Sequence, residues 1–182
     1  MKKLLVLPLV LCSLVFAEFG AYVPLDITNP SPRVGLIWSL SNKFKLPVDV
    51  QAEFINDKQV EDVKDGARVT ETKSAFALQG TYYFLTKGDW SLGAFGRLAG
   101  ATSETKNKDS DTEDKTSGTT WSFGGSAKWQ LNDRFSIKAD VAAVSLYNAE
   151  NKWDYGTTDG KITHSQTTFL PNATISFLVD LL

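Results

Sequence analysis

The sequence is poor in the residues that build most chemical sites. Its 182 residues include one histidine (His164), one cysteine (Cys12) and one methionine (Met1). A lone cysteine forbids an intrachain disulfide, and one His with one Cys leaves little material for a zinc or haem site. With 19 Lys+Arg against 21 Asp+Glu the net charge is −2, so there is no broad basic footprint for nucleic acid. We therefore expect no metal, no cofactor and no nucleic-acid partner. Beyond residue 17 there is also no apolar run of 18 residues, and hence no transmembrane helix. What the chain does have is aromatic residues: 5 Trp, 5 Tyr and 11 Phe, at a mean hydropathy of −0.16. That mean is typical of a soluble protein, but it conceals how the apolar residues are arranged.

The first 17 residues read as an export signal. Met1-Lys2-Lys3 is a positive start, Leu4 to Phe16 is an apolar stretch too short to span a bilayer, and Ala17 is a small residue at the cleavage position. Lipidation at Cys12 is the competing reading, but the bulky Leu11 precedes it where such signals want a small residue. Cleavage after Ala17 would remove Lys2 and Lys3, leaving 17 bases against 21 acids and a net charge of −4. The expected division is thus a cleaved signal peptide, 1–17, and an exported domain, 18–182.

That domain alternates with period 2. Trp121, Phe123, Gly125, Ala127, Trp129 and Leu131 share one face, with Ser122, Gly124, Ser126, Lys128 and Gln130 on the other. Asn132-Asp133 follows as a turn, and Phe135, Ile137, Ala139, Val141 and Ala143 continue the apolar face against Ser136, Lys138, Asp140, Ala142 and Val144. The same period runs through 18–27, 33–40, 46–54, 75–84, 90–99 and 168–181, giving eight strands. Pro171 interrupts the last of them and costs a ladder donor. Connections near 41–45, 86–89 and 132–133 are short. Those at 56–72, 105–118 and 149–162 are long, and 28–32 is brief. Short turns at one end and long loops at the other, with no membrane helix, point to a closed β-barrel whose termini lie at the short-turn end.

Two features decide which face meets lipid. Most charges fall in the connections, and the polar faces carry only Glu18, Asp26, Arg33, Asp49, Glu53, Arg97, Lys128, Lys138, Asp140 and Asp180 among Ser, Thr, Gln, Asn, Gly and Ala. Such a face suits a narrow interior better than a solvated exterior. Arg97, Lys128 and Lys138 fall on consecutive strands and can pair with Asp140, Asp49 or Glu53. Aromatics also sort to strand ends: Trp38, Phe84, Trp90, Trp129, Phe135 and Phe177 near the short turns, and Phe54, Phe76, Trp121, Tyr147 and Phe169 near the long loops. Two such belts are the interfacial girdles of a lipid-embedded barrel.

The architecture resembles the small outer-membrane β-barrels, such as the OmpA transmembrane domain and OmpX-like proteins. The resemblance covers 18–182 and rests on the signal peptide, the alternating strands and the alternating connection lengths. The last residues, Phe177 to Leu182, alternate without the terminal aromatic usual in that class. The expected fold is all-β, an eight-stranded antiparallel up-and-down transmembrane β-barrel in a bacterial outer membrane.

The expected role is structural or surface-interacting and not enzymatic. A plugged polar interior would sit in membrane lipid as a monomer, and surface ligands would meet the loops 56–72, 105–118 and 149–162. One alternative is a lipid-modifying hydrolase using His164 as base. Adjacent strand residues face opposite ways, however, which makes Ser165 a poor nucleophile for it. Another is a secreted lipocalin-like barrel that binds a lipophile inside. The run Asp109 to Asp114 has acidic spacing but lacks the glycine and distal glutamate of a calcium loop, so it reads as a solvated loop with Lys106, Lys108 and Lys115 beside it.

Overall fold

The computed structural model describes residues 18–26, 34–40, 47–62, 68–107, 112–154 and 158–181. The expected signal peptide, Arg33, the 28–32 connection and the 41–45 turn lie outside these residues. Nine strands run antiparallel: β1 Glu18–Asp26, β2 Gly35–Ser39, β3 Val48–Asp62, β4 Arg68–Lys87, β5 Trp90–Asn107, β6 Thr112–Gln130, β7 Phe135–Asp154, β8 Asp159–Phe169 and β9 Ala173–Asp180. Each pairs with its sequence neighbour from β1 to β8, and β9 lies between β7 and β1, closing the ring.

The nine segments occupy eight barrel positions. β8 pairs with the outer half of β7, from Val144 to Asp154, while β9 pairs with its inner half, from Phe135 to Val141. They are one strand broken at Leu170–Asn172. Pro171 cannot donate to the ladder, and Leu170 adopts a positive φ of 49°. Two backbone bonds bridge the break, Leu170 N to Ala143 O at 2.9 Å and Ala142 N to Asn172 O at 3.1 Å.

The break has a counterpart on the neighbouring strand. Phe123 faces Val144 and Gly124 faces Ala142, so Ala143 is an extra residue that bulges. Gly124 is required there, because a side chain would run into the backbone carbonyl of Val141. The bulge reverses the alternation of β7. Ala142 is buried, but beyond it the buried residues are Ser145 and Ala149, both odd-numbered. Two sequence assignments change as a result. Val144, expected on the inward face, sits in the outward row with Phe123 and Phe169, and Tyr147, expected in the outer aromatic belt, turns into the lumen.

The long connections are shorter than expected, because most of 56–72, 105–118 and 149–162 is paired strand. β3 and β4 pair out to Asp62↔Arg68, β5 and β6 to Asn107↔Thr112, and β7 and β8 to Asp154↔Asp159. Strands β4 to β7 have 18 to 20 residues each, where a tilted membrane strand needs about 9–11. At 9 and 8 residues, β1 and β9 are close to that span. A six-stranded sheet, β3 to β8, therefore continues past the closed ring. At the opposite end the turns are tight. Gly88 takes a φ of 58° between β4 and β5. Asn132 Oδ1 accepts from Arg134 N at 2.9 Å and Phe135 N at 3.0 Å between β6 and β7.

The outward face is apolar. Leu36, Phe54, Phe76, Leu78, Phe84, Trp90, Leu92, Trp121, Phe123, Phe135, Ile175 and Phe177 are all exposed. Trp90 and Trp129 stack with centroids 5.2 Å apart, and Trp38 packs on Phe19 at 5.7 Å. Facing water, this surface would far exceed the few hundred Å² that soluble monomers leave open. It rules out the soluble lipocalin-like reading.

Candidate functional site

The lumen holds the polar side chains that the outer face lacks. Asp49, Gln51, Glu53, Gln79, Thr81, Ser122, Ser126, Ser136, Lys138, Asp140, Thr174 and Ser176 are all buried. They come from the inward positions of β3, β4, β6, β7 and β9, so the strand period itself aims them at one another.

The three predicted bases meet the three predicted acids. Arg97 engages Glu53 with both terminal nitrogens, Nη1 to Oε1 at 3.1 Å and Nη2 to Oε2 at 3.1 Å. Tyr22 donates its hydroxyl to the same carboxylate at 2.8 Å. Closer to the short turns, Lys128 Nζ lies 3.1 Å from Asp49 Oδ2, which also accepts from the Tyr83 hydroxyl at 2.9 Å. Lys128 sits over the Tyr83 ring, 5.9 Å from its centroid. Lys138, fully buried, donates to Gln51 Oε1 and to Thr81 Oγ1 at 2.8 Å, and lies 3.3 Å from Asp140 Oδ2. Gln79 Nε2 donates to that same Asp140 oxygen at 2.9 Å.

The pairing is forced by register. Lys128 and Lys138 stand directly opposite one another on β6 and β7, an arrangement that is repulsive unless each finds its own anion. They diverge, one to Asp49 and the other to Asp140. Three acids and three bases thus cancel in charge across the lumen, and burying any one without its partner would be costly. Of the other predicted inward charges, Asp180 is half-buried at the end of β9, and the side chains of Glu18, Asp26 and Arg33 lie outside the described residues.

The tyrosines were not anticipated as part of this site. Tyr22 and Tyr83 fall on the polar faces of their strands in the sequence, and a tyrosine at such a position signals a hydroxyl that needs a buried acceptor. Tyr147 has no such signal, because it enters the lumen only through the bulge at Ala143.

Two of the cavities among the described residues lie above and between these pairs. One, of about 470 Å³, is bounded by Glu53, Arg97, Ala77, Ala99, Gly118 and Tyr147. The other, of about 190 Å³, reaches from Arg97 and Gln79 to Asp140 and Asn172 at the strand break. Asp140 Oδ1 has no protein partner and is placed to hold water there.

His164 and Ser165 occupy successive positions on β8, opposite Ala149 and Asn148, and so face opposite ways. Ser165 Oγ donates to Asn148 Oδ1 at 2.8 Å. The acidic run Asp109–Asp114 lies partly outside the described residues. Glu113 belongs to β6 and sits 3.4 Å from Lys106. In the projecting sheet, Lys115, Lys152 and Lys161 stand in one cross-strand row. Glu150 lies among them, 2.9 Å from Lys152 and 2.5 Å from Lys161, and those bonds hold its carboxyl below its ordinary pKa.

A closed antiparallel ring with an apolar exterior, aromatic belts and a charge-paired lumen defines a lipid-embedded outer-membrane β-barrel. The chain belongs to the family described as "Putative MetA-pathway of phenol degradation", which matches residues 11–151. No curated protein matches it. Among solved structures, a major outer membrane protein from Thermus thermophilus aligns at 10% identity with a TM-score of 0.49, over 90% of this chain and 98% of that one. CarO of Acinetobacter baumannii aligns at 7% identity with a TM-score of 0.32, over 90% and 97%.

Proposed function

We propose that this chain is a monomeric structural barrel with a plugged lumen, presenting its projecting hairpins to surface ligands in the manner of the OmpA and OmpX type. The observation that carries this reading is the charge-neutral set of pairs, Arg97–Glu53, Lys128–Asp49 and Lys138–Asp140, spread across an interior that an eight-stranded ring already leaves narrow. Ions crossing it would have to part groups that are buried and hydrogen-bonded. The hydroxyl of Ser165, committed to Asn148 and facing away from His164, favours this role over a hydrolase. The membrane partner is lipid along the aromatic belts, and the surface partners meet the tips of the 56–72, 105–118 and 149–162 hairpins. Reconstitution in a planar bilayer tests the plug: we expect no porin-sized conductance steps, and steady open-channel currents from the folded monomer would overturn it.

A further inference from the structure

The inward positions change character beyond the Arg97–Glu53 pair. Toward the short turns, β4 turns Gln79, Thr81 and Tyr83 inward. Away from them, the inward residues include Ala75 and Ala77 on β4, Ala99 and Ala101 on β5, and Gly118 on β6, with Thr120 the one larger side chain among them. Minimal side chains on three adjacent strands leave open a space that barrels of this size otherwise fill. The resulting chamber of about 470 Å³ lies within the roughly 300–1,000 Å³ typical of small-molecule sites. Tyr147 and Ile55 complete its wall, and Lys73, Ser103 and Thr116 stand at its outer rim, where Lys73 is paired with Glu71 at 2.9 Å. A Cβ at Gly118 would approach the Tyr147 ring to 2.9 Å, so the glycine makes room for the aromatic face.

The chamber has two chemically distinct ends. Between the polar rim and the floor, alanine methyls and the Tyr147 ring face favour an apolar body. The floor is the Arg97–Glu53 pair, in which a fork-to-fork contact engages two of the five guanidinium N–H groups. The Arg97 side chain is 19% exposed and lines the chamber. Because Glu53 neutralises it, the floor has no net charge and would repel a carboxylate as much as attract one. A hydroxyl or carbonyl oxygen suits it, accepting from Arg97.

We propose that this chamber binds a small uncharged amphiphile, with an apolar body of one or two rings lying against Ala99, Ala101 and Tyr147 and one hydroxyl or carbonyl oxygen directed at Arg97. The proposal goes beyond the plugged-barrel reading and does not depend on whether the pairs below conduct. To test it, the mature chain carrying ¹³C-methyl alanine in lipid nanodiscs is titrated with 1-naphthol. Saturable methyl shifts are expected at Ala75, Ala77, Ala99 and Ala101. Filling the chamber with Ala99→Trp, or with Ala101→Phe should the first not fold, is expected to weaken binding at least tenfold while heat-modifiable gel mobility is kept. The outward-facing Ala94→Trp should leave binding unchanged, and 1-naphthalenesulfonate should bind at least tenfold more weakly than 1-naphthol. Linear, non-saturating shifts in the parent chain would reduce the effect to membrane partitioning and overturn the proposal. So would unchanged affinity in the folded filled variants, or equal binding of the sulfonate.

Discussion

Lys138→Met is the sharpest probe of the lumen. Lys138 is fully buried and serves three acceptors, Gln51, Thr81 and Asp140. Removing its charge strands the Asp140 carboxylate, whose remaining side-chain contact is the Gln79 amide at 2.9 Å. Breaking a buried pair from one side costs about 3–5 kcal/mol, most of it the penalty of an uncompensated buried charge. The loss of two further hydrogen bonds adds to this at about 1 kcal/mol each. Water entering the 190 Å³ cavity beside Asp140 would offset part of it, so we expect a net loss of about 3–5 kcal/mol. Urea-driven unfolding from lipid vesicles, followed by tryptophan fluorescence, measures it. The companion variant Lys138→Met/Asp140→Leu removes both charges and should recover most of the loss, because apolar replacement of a whole buried pair is close to neutral. A single-variant cost under about 1 kcal/mol would refute the reasoning, as would a double variant less stable than the single.

Two other predictions concern the outer half of the molecule. If the bulge at Ala143 turns Tyr147 inward, Tyr147→Cys in a chain from residue 18 onward, which has no other cysteine, should react with a water-soluble maleimide in vesicles while Leu146→Cys stays protected by lipid; the reverse order would return Tyr147 to the outer belt. The depressed pKa of Glu150 means that its bonds to Lys152 and Lys161 stabilise the β7–β8 hairpin above its ordinary value and are lost as pH falls through the lowered one. Amide exchange near 159–163, corrected for intrinsic rates, should then quicken at pH 3 relative to pH 7, and equal protection at both would show that Glu150 does not hold the lysine row together.

The sequence reveals the part of this fold that sits in lipid. There, one strand face meets hydrocarbon and the other a polar lumen, so alternation is a direct record of geometry, and the three bases and three acids could be named from it, though not which base meets which acid. Past the membrane both faces of the sheet meet water. Segments such as Thr112–Thr120 are paired across their whole length yet carry no hydropathic period, and they read as loop. The extended pairing is held by Thr-rich cross-strand rows and by ion pairs such as Lys106–Glu113, neither of which shows in a polarity pattern. The single extra residue at Ala143 is equally silent, since Ala142, Ala143 and Val144 are all apolar and fit either phase. Pro171 was visible because its missing donor is a property of the residue rather than of its surroundings.

The break at Leu170–Asn172 divides the labour of the last strand. Closure of the ring depends on β9 alone, through seven residue pairs with β1 from Gly20↔Asp180 to Asp26↔Thr174. β8 takes no part in that seam and answers only to β7. The ring can therefore zip shut independently of the sheet above it, and the outer hairpins can lengthen, shorten or change sequence without altering the register that seals the barrel in the bilayer. One proline and one left-handed residue make the projecting portion a replaceable attachment on a fixed membrane collar.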